Sequence, residues 1–441
     1  MATPDKRMIR RVVFASIVGS AIEWYDYFLY GVMAGIVFNK LYFASKDPVM
    51  ATIWSYAVFW VGTLSRPFGA IIFGHFGDRI GRKSMLVLTL IIMGVATFCI
   101  GLVPTYAQIG GWATAILVLL RLGQGLGLGG EWGGAVLMTF EYASPLKRGL
   151  YASLPQIGLA IGLMLSTGIV ALLSQVLTNV QFLAWGWRLA FLLSAILVCV
   201  GIWIRLNVME TPEFQVVKES KTESTVPFRD MWRGGGLGSV VAGLGVRYIE
   251  GVFFGTFAVF SIAYLTNTIK IPRTEAVTAV MVSAILMAVF IPLFGYLADR
   301  VGKAKLYAYA SLITGFSAFP AFWLINYSAG NRVVIWLSIV IPLGIFWSAV
   351  FGPEAGLLAE LFDTKVRYTG LSFTYQLSVP FMGGITPLVN TVLLNKFSGY
   401  TGVCLYCTIV GVLSALAALW IYFRQLRRQQ QIALVAGTPK G

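Results

Sequence analysis

Long apolar runs with almost no charge restrict the fold of this chain more than any other feature. A helix crosses about 30 Å of hydrocarbon with about 20 apolar residues. Only 12% of the 441 residues are charged, against about 25% in soluble domains. Because lipid offers the backbone no hydrogen-bond partner, such runs must be helical. The sequence predicts an all-α membrane protein with twelve spans, near residues 12–38, 51–75, 85–106, 111–139, 150–174, 186–207, 237–266, 275–297, 306–326, 333–357, 367–394 and 400–423.

Most basic residues lie in alternate connections between the predicted spans, and therefore on one side of the membrane. Cytoplasmic connections collect lysine and arginine, so we expect both termini and the central polar stretch to be cytoplasmic. The formal net charge of +15 is then a topology signal, and no nucleic-acid partner is predicted. The residues of this basic side are Lys6, Arg7, Arg10, Arg11, Arg79, Arg82, Lys83, Lys147, Arg148, Lys218, Lys221, Arg229, Arg233, Arg300, Lys303, Lys305, Lys365, Arg367, Arg424, Arg427 and Arg428.

Two short segments of the first half recur in the second half at nearly the same separation. GHFGDRIGRK at 74–83 is echoed by GYLADRVGKA at 295–304, and EYASPLKRG at 141–149 by ELFDTKVRY at 360–368. Two echoes in register indicate a duplicated six-helix unit. We therefore expect a six-helix bundle over 1–207, a cytoplasmic connection over 208–236, a second bundle over 237–424 and a short cytoplasmic tail over 425–441.

Several motifs carry a resemblance to a known family. The GHFGDRIGRK connection and RLGQGLGLGGEWGG at 121–134 resemble motifs of the major facilitator superfamily. EWYDYFLYG at 23–31, AWGWRLAF at 184–191 and ELFDTKVRYTG at 360–370 resemble its metabolite:proton symporter branch. The resemblance covers the whole chain and implies two pseudo-symmetric six-helix bundles that rock against each other. Ala304 departs from the motif, which usually has a basic residue there, and weakens the expectation that both connections work alike.

The resemblance also implies that the two charged connections are cytoplasmic gates. A helix N-terminus favours an anion, and glycine allows the close approach that such a contact needs. We expect Arg82 to pair with Glu141 and Asp78 to face the start of span eleven near Arg367. By the repeat, Lys303 pairs with Glu360, and Asp299 faces span five near Arg148.

Ionisable residues inside predicted spans indicate function, because burying them in lipid is costly. Arg121 lies near the midplane, where its guanidinium suits a carboxylate. Arg247 and Glu250 are three residues apart, so a substrate role and mutual neutralisation both remain open. Arg66 precedes a proline and is interpreted as a gate or structural residue. The candidate proton-coupling residues are Glu23, Asp26 and Glu131; the candidate substrate-binding residues are Arg121, Gln124, Tyr27, Tyr30, Gln156, Arg247, Glu250, Tyr375 and Gln376.

These features favour a secondary active transporter of the bacterial inner membrane that imports a small organic acid with protons. An osmolyte symporter for proline or betaine, a drug/proton antiporter and a nutrient receptor are the alternatives. No enzymatic function is predicted. A P-loop requires glycine directly before its lysine, and here Arg82 precedes Lys83; the cysteines complete no metal site. We expect no cofactor, no metal and a monomer in the lipid bilayer, with the substrate and protons as its partners.

Overall fold

The computed structural model describes residues 6–43, 47–80, 82–129, 132–206, 231–232, 236–328, 330–362 and 367–436. Ten helical segments within these ranges are long and apolar enough to cross a membrane. Two more complete the set: Lys6–Met33, and the third span, whose apolar part is Val87–Leu102. The predicted all-α fold with twelve spans is therefore confirmed. Most of the central stretch 208–236 lies outside the described residues.

The first half forms six spans that are interrupted at several points. The third span ends at Leu102, earlier than predicted, since Val103 precedes Pro104 and a residue before proline disfavours helical geometry. Short π-helical turns occur at Ala34–Phe38 and Phe182–Gly186. The α-helices are Lys6–Met33, Asn39–Leu41, Pro48–Leu64, Arg66–Ile80, Arg82–Leu102, Tyr106–Ile109, Gly111–Leu128, Trp132–Tyr142, Arg148–Ser153, Ile157–Val176, Asn179–Gln181, Trp187–Leu192 and Ser194–Leu206.

The second half repeats this plan with three π-helical turns, Gly255–Phe260, Pro342–Phe346 and Pro380–Gly384. The last two begin at a proline, which has no N–H to donate and so disturbs the regular ladder of hydrogen bonds. The predicted span 367–394 is interrupted in this way. The α-helices are Gly236–Phe254, Ser261–Asn267, Arg273–Val301, Lys303–Phe316, Ala318–Tyr327, Arg332–Ile341, Trp347–Ala359, Arg367–Val379, Thr386–Lys396 and Thr401–Ala436.

Glycines bring the two halves into close contact at the end of the molecule that carries connections 142–148 and 301–303, here called the basic face. A Cβ atom on Gly149 would lie 2.6 Å from the carbonyl oxygen of Gly295 and 2.7 Å from Asp299 Oδ1. No real side chain fits at that distance. The fifth and eighth spans can therefore meet backbone to backbone only because glycine stands here.

The halves also meet at the other end, here called the opposite face. Arg273 Nη2 donates to Asn179 Oδ1 at 2.6 Å, and the guanidinium lies 4.2 Å from the centre of the Phe182 ring. Asn267 Nδ2 donates to the Gly35 carbonyl oxygen at 3.3 Å. The described residues of the two halves are therefore in contact at both faces.

Candidate functional site

A cavity of about 40 Å³ lies between the two halves near the middle of the spans. One water occupies at least about 10–15 Å³ by this measure, so the cavity holds two or three waters and no metabolite. Arg66, Arg247 and Glu250 are the charged residues of its wall. Six aromatic rings make up much of the remaining wall: Trp24, Tyr27, Phe28, Phe59, Phe254 and Tyr375.

One nitrogen of Arg247 contacts two carboxylates. Its Nη1 lies 2.6 Å from Glu250 Oε2 and 2.5 Å from Glu354 Oε1, and its Nε donates to Ser378 Oγ at 2.9 Å. The ring of Tyr375 lies 3.9 Å from the guanidinium carbon. All three charged side chains are at most 6% exposed. Within this group of three, full ionisation leaves one buried negative charge in excess, and Arg66 in the same cavity wall is close enough to Glu250 to interact with its charge.

Glu354 is a candidate that sequence reasoning missed. It is fully buried in the tenth span, and it extends the predicted Arg247–Glu250 pair to a group of three. The signal was present, because Glu354 stands inside the predicted span 333–357, and the rule that selected Arg247 applies there equally.

Arg121 lies in the first half, enclosed by aromatic rings. The guanidinium carbon lies 4.8, 4.6 and 4.7 Å from the ring centres of Tyr27, Tyr30 and Phe59, distances at which a cation is attracted to a ring face. Nη1 donates to Gln124 Oε1 at 2.9 Å. The rings of Tyr27 and Phe59 belong to the cavity wall, whereas Arg121 does not. Its role as the substrate-binding residue stays a prediction.

The two candidate carboxylates of the first span face different neighbours. Asp26 lies beside Thr97, which receives a hydrogen bond from Gln124 Nε2 at 2.7 Å. Arg121, Gln124 and Thr97 thus form one hydrogen-bonded chain in the first half, and Asp26 lies beside its Thr97 end. Glu23 instead lines a second, smaller cavity of about 10 Å³ together with Arg66. Both carboxylates are buried.

Arg66 crosses from the first half to the second. Its Nε donates to Gln376 Oε1 at 3.0 Å, and Gln376 Nε2 donates back to the Leu128 carbonyl oxygen at 3.4 Å. Next to this pair, the ring of Trp132 stacks on that of Tyr375 with 3.5 Å between centroids. Sequence reasoning did not select Trp132, although it stands in the GGEWGG motif. The predicted binding residues Tyr375 and Gln376 thus contact the opposing half.

Gln156, another predicted binding residue, also links the halves. Its Nε2 donates to the carbonyl oxygen of Phe351 at 2.9 Å, and the side chain is 2% exposed. Since this hydrogen bond joins the fifth span to the tenth, a movement of one half relative to the other must break it or carry Phe351 along.

The predicted gate of the second half comes together at the basic face. Asp299 accepts hydrogen bonds from the backbone N–H groups of Gly149 and Leu150, at 2.7 and 2.9 Å, beside Arg148. Lys303 Nζ lies 2.9 Å from Glu360 Oε1 and 3.6 Å from Asp299 Oδ1. The structure thus places each of these predicted pairs in contact, and their gating role stays a prediction.

The other half of the predicted gate is only partly described. The guanidinium carbons of Arg148 and Arg367 lie 5.0 and 5.7 Å from the centre of the Phe140 ring, and Arg367 Nε donates to the Phe362 carbonyl oxygen at 3.3 Å. The side chains of the predicted gate residues Asp78, Arg82 and Glu141 lie outside the described part of the chain, as does that of the predicted proton-coupling residue Glu131.

Sequence comparisons identify similar proteins along the whole chain. A sequence model of the Major Facilitator Superfamily matches residues 16–384 and 251–439. The inner membrane metabolite transport protein YhjE of Escherichia coli (strain K12) is 38% identical over 414 residues, covering 93% of each chain. The shikimate transporter of the same strain is 36% identical over 415 residues, covering 93% of this chain and 94% of that protein.

A solved structure has the same fold. The crystal structure of a D-xylose-proton symporter superposes with a TM-score of 0.73 and covers 93% of this chain and 97% of its own. Its sequence is 17% identical, so the likeness concerns the arrangement of the helices and not the identity of the ligand.

Proposed function

The chain belongs to the major facilitator superfamily, and we propose that it imports a small organic acid together with protons. The family and the relatives are transporters and not enzymes, so the chain is a multi-pass membrane transporter. One observation supports the finer proposal most directly. A buried guanidinium from each half, Arg66 and Arg247, lines one cavity between the halves, and Arg247 there contacts the buried carboxylates Glu250 and Glu354.

The proposed substrate is a carboxylate. Guanidinium groups bind carboxylates through paired hydrogen bonds, and ionisable groups at this depth are costly to bury, so their presence supports a role in transport. The shikimate transporter at 36% identity supports an organic acid. The alternative is an osmolyte, since a proline/betaine transporter of Salmonella typhimurium is 30% identical over 428 residues.

The proposed proton carriers are buried carboxylates. Glu23, Asp26 and Glu131 remain the candidates of the first half. The Glu250–Glu354 pair is a further candidate, because one proton removes the excess negative charge around Arg247. Protonation therefore changes the net charge next to the substrate cavity, which is what coupling requires.

Transport would proceed by rocking of the two halves in the bacterial inner membrane, with the basic face in the cytoplasm and one chain as the working unit. Opening at the basic face requires Asp299 to leave the amides of Gly149 and Leu150, and Lys303 to leave Glu360. Opening at the opposite face requires Arg273 to leave Asn179. Only one set needs to break at a time.

The test is uptake by the purified protein in liposomes with an imposed pH gradient, acidic outside. We expect a labelled carboxylic acid, with shikimate tried first, to accumulate, and a protonophore to abolish the accumulation. Protein-free liposomes are the control. Accumulation of betaine or proline, and of no acid, would favour the osmolyte alternative. If no solute accumulates although the protein exchanges one across the membrane, proton coupling is excluded.

A further inference from the structure

Three buried guanidiniums near the centre of the molecule differ in their contacts with other side chains and in their access to the cavity. Arg247 is held by two carboxylates and Ser378. Arg121 lies behind the rings of Tyr27, Tyr30 and Phe59 and is not part of the cavity wall. Arg66 is 1% exposed, lines the cavity, and its Nη1 has no hydrogen-bond partner among the described residues. Of the three, Arg66 alone combines access to the cavity with a spare donor.

We propose that Arg66 binds the carboxylate of the substrate, and that the site takes a small monocarboxylic acid with a flat or cyclic body. This inference rests on the proposed function and specifies its substrate. The sequence indicated Arg121 as the residue that binds the carboxylate. The proposal assigns this role to Arg66, which the sequence indicated as a gate or structural residue.

The surroundings of Arg66 suit a carboxylate. A buried N–H without a partner costs free energy, and an anion that accepts from it recovers that cost with a charge-assisted hydrogen bond. Gln376 Oε1 already occupies Nε, so the guanidinium plane is fixed while Nη1 remains available. The orientation needed for binding is thus set before a ligand arrives.

The cavity wall favours a ring. Trp24, Tyr27 and Phe28 come from the first span, and Phe254 and Tyr375 approach from the second half. Ring faces stack on aromatic side chains and bury apolar area without needing hydrogen bonds. When the halves separate and the cavity widens, a flat body can enter between these rings while its carboxylate remains at Arg66.

The charges of the site favour one carboxylate over two. Arg247, the other guanidinium of the wall, is already held by Glu250 and Glu354. A second carboxylate on the ligand would approach Glu250, which also lines the cavity, and like charges at short range repel. Dicarboxylates and tricarboxylates are therefore disfavoured.

The test compares ring compounds that differ in one group, by calorimetric titration of the full chain in lipid nanodiscs. The probes are benzoate, its neutral analogue benzamide, and the dicarboxylate terephthalate. We expect the wild type to prefer benzoate over benzamide by about tenfold or more, from the strength of a charge-assisted hydrogen bond, and to bind terephthalate more weakly than benzoate. Arg66→Gln should reduce the benzoate/benzamide preference to near one, whereas Arg332→Gln, at an exposed arginine outside the cavity, should keep it.

Two results would overturn the proposal: no binding of benzoate by the wild type, or an unchanged preference for benzoate over benzamide in Arg66→Gln. A purely structural role of Arg66 would weaken benzoate and benzamide equally. Gel filtration and thermal unfolding check the fold. If Arg66→Gln does not fold, Arg66→Lys replaces it, since lysine keeps the charge but not the planar fork, and an unchanged preference there also overturns the proposal.

This experiment is independent of proton-driven uptake. If the protein distinguishes benzoate from benzamide through Arg66 but accumulates no acid in liposomes, the result supports this binding site and contradicts the proposed proton coupling. If the protein accumulates an acid while Arg66→Gln keeps the preference for benzoate, the result supports the proposed function and contradicts this binding site.

Discussion

Arg247 contacts two buried carboxylates and Ser378, and its removal tests how the interior tolerates uncompensated charge. Arg247→Gln removes the guanidinium that Glu250 and Glu354 both contact and leaves Arg66 as a cation in the same cavity wall. Breaking a buried ion pair from one side costs about 3–5 kcal/mol, so we expect a clearly lower midpoint of thermal unfolding. The control is Arg332→Gln, whose partner Glu275 lies near the surface; an exposed pair contributes about 0–1 kcal/mol. Equal effects in the two variants would contradict the interpretation of the buried cluster.

Glu354 provides a second prediction at this scale. Glu354→Gln leaves Arg247 and Glu250 as a pair of equal and opposite charges, so the protein should fold. It removes one site for a proton, and we expect uphill uptake driven by a pH gradient to fall at least tenfold while substrate exchange continues. The measurement is uptake and exchange in the same liposomes, with Asp26→Asn in parallel.

The comparison of these two variants assigns the coupling site. Loss of uphill uptake in Asp26→Asn alone would place the coupling site in the first half and exclude Glu354. Loss in both variants would indicate that both halves take part in proton coupling.

At the scale of helices, the contact between the fifth and eighth spans depends on glycine. A methyl group at Gly149 overlaps the Gly295 carbonyl oxygen, and overpacking costs about 1–3 kcal/mol. Because this contact exists only when the basic face is closed, we expect Gly149→Ala to favour opening there. Reactivity of a single cysteine placed in the cavity toward a thiol reagent added at the basic face should rise.

The matched control is Gly123→Ala, in the fourth span. A Cβ atom at Gly123 would lie 3.8 Å from its nearest neighbour, Ala96, which is an ordinary contact distance. An equal rise in cysteine reactivity for both variants would show that the effect comes from alanine in a helix and not from the contact between the halves.

The helices could be predicted from the sequence more fully than their contacts. Lipid allows the backbone only a few arrangements, so apolar length alone gave the twelve spans. The pair Lys303–Glu360 was also predictable, because the repeat supplied it. The contact of Arg247 with Glu354 was not, since it joins two helices that are far apart in sequence and depends on how these helices rotate about their axes.

The position of Arg66 shows a different limit. Its depth and its neighbouring proline were visible in the sequence, but the free Nη1 depends on Gln376, which approaches from the other half. Likewise, the aromatic rings around Arg121 were visible as residues, and only the packing shows that they separate it from the cavity. Sequence patterns indicate which groups are buried, and tertiary packing decides which of them a ligand can reach.

At the scale of the whole molecule, three cations stand at the opposite face where an anion would enter. Lys40 lies close enough to Lys270 and Arg273 to interact with their charges. Clusters of charges of one sign accelerate the encounter with ligands of the opposite sign. At physiological ionic strength, salt screens this attraction at distances beyond about 8 Å. We therefore expect the initial rate of anion uptake to fall as ionic strength rises, with the maximal rate unchanged.

Lys40→Gln with Lys270→Gln should flatten this dependence, and Lys147→Gln, at the basic face, is the control for a change in net charge alone. The measurement is the initial uptake rate at subsaturating substrate over a range of salt concentrations. A wild type without salt dependence, or a double variant with the same dependence as the wild type, would exclude steering by this cluster.

Contact between the halves at both faces also bears on the energy stored across the membrane. A file of water that conducts protons through about 30 Å of hydrocarbon needs about ten molecules at hydrogen-bond spacing, whereas a cavity of about 40 Å³ holds two or three. The described interior therefore interrupts any such file with stacked rings and close-packed backbone. We therefore expect the described conformation to leave a proton gradient across the membrane intact.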